Sequence, residues 1–414
     1  ICIGITANYN VTKPEFINMK RVLLHFLEVA NSKLSGLVLT ALLTTTVMIS
    51  VGSIVRVTGH GLGCPDWPLC YGQAIPPLGD ISAWIEFSHR LIGLIVALQF
   101  ALILLVVWRY HRNIKFIFWP SLLANMFLVF QILLGGIHVV LEIPPATGWI
   151  HTGNAMMLIG LVAIVFVSVT FAMDWHPTGI NMFGNKALLS WVTIIALVFV
   201  IVHISLYRLY GDYQGIACPV EPYCKGIIDV TRYMTVASLS GLLILTLLYF
   251  VRASTLISNR IGMIPSNRAF YRFVSFTLVF LYLLLLSGSY VTRSGASLAC
   301  LEFPHCGFVS DAIRNLVNIH LLHRYSAYIV GTMVLSIAYV LVNVYAKLDI
   351  RYLGHSIFVL LVIQIVLGAA NILLRIPMWS RVLHLTVGAS LWVCVAMLWM
   401  ILTVRKSGVL RLRD

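Results

Sequence analysis

The chain has 414 residues, 60% of them hydrophobic and only 10% charged, with a mean hydropathy of +0.95. A soluble globular domain carries about 25% charged residues, so this composition excludes one and leaves a polytopic membrane protein. The formal net charge of +14 is no signature of nucleic-acid binding, because the basic residues sit in short clusters between apolar runs and not on one polar face.

In chain order, residues 1–35 read as a polar N-terminal segment. Its first 18 residues lack the apolar core of a signal peptide and precede Met19, which resembles a natural start. Apolar stretches long enough to cross about 30 Å of hydrocarbon follow near 36–58, 82–108, 117–140 and 148–172, then 187–207 and 232–252, and finally 270–291, 314–343, 352–374 and 380–404. The expected fold is all-α, with ten spans.

Lys13, Lys20, Arg21 and Lys33 precede the first span; Arg109, Arg112 and Lys115 follow the second. Arg252, Arg260, Arg268 and Arg272 follow the sixth, and Arg405, Lys406, Arg411 and Arg413 end the chain. Alternating spans put all these clusters on one side, which the positive-inside bias makes cytoplasmic together with both termini. Most of the acids fall in the opposite loops, among them Asp66, Asp80, Glu142, Asp212, Glu221, Asp229, Glu302 and Asp311.

Those outer loops also hold three cysteine pairs: Cys64/Cys70 in GCPDWPLC, Cys218/Cys224 in ACPVEPYC and Cys300/Cys306 in ACLEFPHC, each with five residues between. Outside the cytoplasm disulfides persist, and one is expected within each pair. Free thiols or a zinc site are the competing readings, although zinc usually takes cysteines about two to four residues apart. Cys2 and Cys394 are expected to be inert.

A repeat organises the chain. Gln131, Gly135, Pro144 and His151 recur as Gln364, Gly368, Pro377 and His384, each 233 residues on; His89-Arg90 recurs as His323-Arg324, 234 on, and the first cysteine pair as the third, 236 on. Residues 36–172 and 270–404 are therefore two copies of one four-helix unit, with an inserted two-helix hairpin at 187–252 whose second helix reads VASLSGLL where a histidine would fall. The hairpin could pack on either unit or support oligomers.

His89 and His151 lie a few residues into their spans from the outer end, roughly 5 to 10 Å below the interface at about 1.5 Å per residue; His323 and His384 match them. Ionisable residues within hydrocarbon are costly and point to function. One intramembrane histidine could be a packed core residue, whereas four at repeat-related positions suit two axial pairs for haem iron. Zinc or copper would want further ligands that the sequence does not supply. Arg56, Arg90, Arg293 and Arg324 stand at the same depth and could pair with haem propionates or act as interfacial anchors. His111, His138, His176, His203 and His355 read as structural.

One difference separates the copies. Glu86 stands three residues before His89 on the same helical face, and the matching residue before His323 is His320. A carboxylate beside one pair suggests a reactive first pocket and a permanent cofactor in the second. Glu86 could also be a solvated carboxylate at a helix N-terminus.

The run VRVTGHGLGCPDWPLCYG, the following EFSHR, the Gln131 to His151 segment and the repeated HR and H resemble the haem A synthase family across both four-helix units. That resemblance implies conversion of haem O to haem A by successive hydroxylations of a porphyrin methyl group to formyl. It implies haem b on His323 and His384 as electron relay, substrate haem O between His89 and His151, and a catalytic role for Glu86. It also implies a bacterial cytoplasmic membrane, or the mitochondrial inner membrane, as location and a haem O synthase as supplier, with the electron donor unidentified. Cys64 and Cys70 match the family's lid over the substrate pocket. The extra hairpin and the second-half cysteines depart from the family pattern and bear on partner contacts and homo-oligomers. A di-haem electron carrier and a haem transporter or chaperone are the alternatives; Glu86 and the CPDWPLC loop argue against a simple carrier.

Overall fold

The computed structural model describes residues 19–173, 186–206, 229–246, 267–302, 306–307, 310–344 and 351–406. Helix α1 spans Met19–Ser32, α2 Leu34–Val57, α3 Ile81–Val106, α4 Lys115–Val140, α5 Pro145–Met173 and α6 Lys186–Leu206. Residues 229–246 form α7, followed by α8 Arg268–Arg293, α9 Arg314–Tyr339, α10 Arg351–Leu373 and α11 Met378–Lys406.

In hydrocarbon a backbone must satisfy its own polar groups, so long apolar runs become helices. Among the described residues eight are long and apolar enough to cross a membrane: α2, α3, α4, α5, α8, α9, α10 and α11, and the chain is an integral membrane protein. The fifth and sixth expected spans correspond to α6 and α7, whose flanking residues lie outside the described ones; among the described residues the apolar core of α6 is the shorter Val192–Ser205. Side-chain caps fix two helix starts: Asp80 Oδ1 accepts from Ala83 N at 3.0 Å to begin α3, and Asn267 Oδ1 accepts from Ala269 N and Phe270 N to begin α8.

Packing follows the repeat. Helices α2 to α5 form one bundle and α8 to α11 another, and the two meet through α5 and α11, with α2 against α11 and α8 against α5. Helix α11 is almost wholly buried. Across this seam Trp392 Nε1 donates to the Met156 carbonyl at 2.8 Å, Trp149 Nε1 to Leu286 at 3.0 Å, and Ser50 Oγ lies 2.9 Å from Thr386 Oγ1. The outer faces of α3, α4, α8 and α9 present Leu94, Leu98, Met126, Phe276 and Leu322 to their surroundings, as lipid-facing helices must.

Even irregular features recur. A π turn at Val107–His111 has its partner at Val340–Val344, and the left-handed pair Glu142 and Ile143 (φ 57° and 61°) its partner in Arg375 and Ile376 (φ 53° and 54°). Helix α6 of the insertion stands on the second bundle's side, packing against α10, and the His203 ring lies edge-on 5.7 Å from that of Trp379.

Candidate functional site

Each bundle brings its two predicted histidines into electrostatic range of one another: His89 on α3 with His151 on α5, and His323 on α9 with His384 on α11. Glycines make the room. A Cβ on Gly52 would lie 2.8 Å from His89 Cε1 and one on Gly288 2.9 Å from His323 Cε1, so α2 and α8 can approach the rings only because these positions lack a side chain. Gly135 and Gly368 face His151 and His384 in the same way, at 3.6 and 3.3 Å. The Nδ1 atoms of His89, His151 and His384 are buried without a hydrogen-bond partner. Among the described residues no three of His, Cys, Asp and Glu converge on a metal position. Two imidazoles in each bundle, three of the four with an unpartnered buried Nδ1, and the glycine cradle around them fit haem, which His89 with His151 and His323 with His384 could hold.

A loop closes over each pocket. Cys64 is bonded to Cys70 and Cys300 to Cys306; Cys218 and Cys224 lie outside the described residues, and Cys394 is a buried free thiol. Arg90 clamps the first loop to α3, donating to the carbonyls of Asp66 (2.8 Å), Leu69 (2.7 Å) and Cys64 (3.0 Å). Arg324 does the same for the second, donating to Cys300 O at 2.8 Å and Glu302 O at 2.6 Å. Trp67 lays its indole over Gly136 of α4, and Gly63 lies so close to the Ser82 carbonyl that a side chain could not fit. Within the first loop the Asp66 carboxylate accepts from the amides of Tyr71 (2.6 Å) and Gly72 (2.7 Å). These bonds, the Gly72 amide foremost, hold its pKa below the usual carboxylate value.

Glu86 is only 4% exposed. Its Oε1 pairs with Arg90 Nη2 at 2.6 Å and its Oε2 accepts from Cys64 N at 2.9 Å, so it ties loop, arginine and α3 together beside His89. A solvated helix-terminal carboxylate is not what the structure contains. In the second bundle His320 Nδ1 instead lies 2.9 Å from the Ala296 carbonyl.

Of the four arginines expected near propionates, Arg90 and Arg324 have their guanidinium groups committed to loop carbonyls. Arg56 and Arg293 lie at the seam with Arg381, which sequence reading missed. Arg56 Nη1 donates to Thr292 Oγ1 at 3.1 Å, Arg381 Nη2 to Val57 O at 3.4 Å, and Arg293 sits over Gly148. Arg56 feels the charges of both others, and among the described residues no ion pair joins any of the three to a carboxylate. The signal for Arg381 was its place three residues before His384.

His138, read as structural, stacks on His151 with ring centroids 6.3 Å apart, and its Nδ1 lies 2.6 Å from Thr147 Oγ1. The repeat places Asn371 and Ser380 there, joined at 2.6 Å. The clasp between consecutive helices is common to both bundles; only the first makes it with an imidazole.

A family model described as COX15-CtaA, cytochrome oxidase assembly protein, matches residues 35–82 and 229–396. The match takes in Arg56, the first and third cysteine pairs, His323 and His384, and leaves Glu86, His89 and His151 to rest on geometry and the repeat. Relatives named heme A synthase include those of Bacillus cereus (strain AH187) and Bacillus mycoides (strain KBAB4), each 28% identical over 189 residues. That of Bacillus anthracis (strain CDC 684 / NRRL 3495) is 27% identical over the same length. These alignments cover 45% of this chain and 60% of each relative, so the chain spans somewhat under two thirds of the relatives it matches. With over half of its residues matched by the family model, the chain belongs to the COX15-CtaA family of cytochrome oxidase assembly proteins.

Proposed function

We propose that this chain is a haem A synthase, taking haem O as substrate between His89 and His151 and holding haem b between His323 and His384. In this reading residues 36–172 are the substrate unit, 270–404 the cofactor unit and 187–252 an inserted hairpin. The observation that carries it is the one-sided placement of Glu86. The two pockets repeat helix for helix, glycine for glycine and clamp for clamp, yet a carboxylate stands one turn before the α3 histidine only in the first. Two pockets with one task would need no such difference.

A bound haem b would supply one-electron redox chemistry. The chain's own residues do the rest. His89 and His151 would hold the substrate's iron and thereby set which edge of the ring meets α3. Glu86 would hold a proton, or favour developing positive charge, beside the reacting methyl group. The Cys64–Cys70 loop and Trp67 would keep water from the pocket. Arg56, Arg293 and Arg381 would receive propionates, while Arg90 and Arg324 keep the lids shut. The disulfide loops favour an outer location for both pockets, with the termini cytoplasmic and haem O arriving through the membrane from the enzyme that makes it.

A second reading, a di-haem electron carrier, gains support from Glu86 having both oxygens engaged as a clamp. Co-expression with a haem O synthase, followed by extraction and chromatography of the haems, separates the two. The synthase gives haem A from the native chain and haem O or a hydroxylated intermediate from Glu86→Ala. Glu86→Gln, which keeps an acceptor for the Cys64 amide, should show the same loss if charge and not lid closure is at stake. Haem B alone from native and variant, in membranes rich in haem O, would leave the carrier as the better account.

A further inference from the structure

The two imidazole pairs are not held alike. On α8 the Ser287 hydroxyl lies 2.8 Å from the Leu284 carbonyl oxygen and 2.8 Å from His323 Nδ1. A carbonyl only accepts and a hydroxyl carries one proton, so that proton goes to Leu284 and the Ser287 oxygen accepts from His323 Nδ1–H. The ring is fixed with its proton on Nδ1 and its lone pair on Nε2, the state in which imidazole binds a metal. The repeat-related residue on α2, 236 positions earlier, is Val51, which has no hydroxyl. His89 has no side chain bridging to its Nδ1, which is buried without a hydrogen-bond partner. The partner rings do not distinguish the pockets in this way, since Nδ1 of His151 and of His384 are both buried and unpartnered.

We propose that the Ser287–His323 hydrogen bond makes the second pocket the retentive one, and that Val51 leaves the first pocket exchangeable. This rests on both pockets being haem sites. A ligating imidazole whose outer N–H is hydrogen-bonded is a better electron donor and is locked in orientation, and losing such a partner typically costs about 10- to 100-fold in metal affinity. A permanent cofactor calls for that support. A substrate that must leave as product calls for its absence. Ser287 is thus a positioning residue acting through His323, and the Val51/Ser287 pair assigns the two pockets their different residence times.

The test uses the full chain purified in detergent with the haem it acquires in the expression host, transferring haem to added apomyoglobin and titrating the haem's midpoint potential. Ser287→Ala should speed haem loss about tenfold or more and raise the potential, because a weaker donor favours the reduced iron; Ser287→Thr should behave as the native chain. In a His323→Ala/His384→Ala background, which leaves the second pocket no axial ligand, Val51→Ser should slow the loss of added haem from the first pocket by a similar factor. Unchanged transfer rate and potential in Ser287→Ala, while His323→Ala/His384→Ala still removes the haem, would overturn the proposal and leave the pocket assignment standing. Retention of the full haem signal in His323→Ala/His384→Ala would overturn the pocket assignment and the proposal with it.

Discussion

Asp66 sits at the turn of an exposed loop, yet both its oxygens are engaged by consecutive backbone amides. Its pKa is depressed in the folded loop, so the stabilisation it gives is complete above the unfolded carboxylate value, roughly pH 4, and is lost as pH falls through the lower folded value. The Cys64–Cys70 disulfide should therefore be reduced by a water-soluble phosphine at a steady rate from neutrality down to about pH 4 and faster below it. Asp66→Asn should show the faster rate throughout; a flat profile for the native chain would remove the carboxylate from the loop's stability. At His323 the expectation is simpler. His323→Met should abolish the bis-histidine absorption spectrum of haem b, and an unaltered spectrum would place that cofactor elsewhere. The residues themselves were legible in the sequence, but their partners were not: nothing in EFSHR tells that Glu86 and Arg90 close on the Cys64 backbone.

At the scale of elements, the lid and α3 meet at Gly63, where an added Cβ would run into the Ser82 carbonyl and the Ala83 amide, both backbone atoms that cannot rotate away. Gly63→Ala should cost about 1–3 kcal/mol, read as a lowered unfolding temperature in detergent, and should make Cys64–Cys70 easier to reduce. Gly59→Ala, in open space but at φ 76°, would strain only the turn and leave the lid seated. Span positions were legible from hydropathy because a bilayer demands about 20 apolar residues in a row. The two π turns and the two left-handed pairs were not, since backbone irregularity of that kind depends on how a helix end packs.

For the molecule as a whole, the seam between bundles decides how the pockets relate. Trp392 is 6% exposed, hydrogen-bonded to the Met156 carbonyl and pressed on Gly160. Lipid is as apolar as a helix interior, so such close packing and not water exclusion holds the bundles together. Trp392→Ala should cost about 3 kcal/mol and lower the unfolding temperature, whereas Trp399→Phe, giving up one hydrogen bond to Ser275, should cost about 1 kcal/mol or less. Equal melts for the two would mean that the seam is not where stability resides.

The sequence by itself determined the membrane class, eight of the ten expected spans, the two repeated units and the four histidines, because each follows from a one-dimensional pattern: a run of apolar residues, a fixed displacement or a charge bias. Only the tertiary structure decided which side chains meet: Arg90 and Arg324 at the loops, Arg56, Arg293 and Arg381 at the seam, Ser287 under His323 and α6 beside α10. The reason is physical. A hydrogen bond is set by distance and angle between groups on different helices, and helices that run side by side bring together residues whose separation along the chain carries no sign of it.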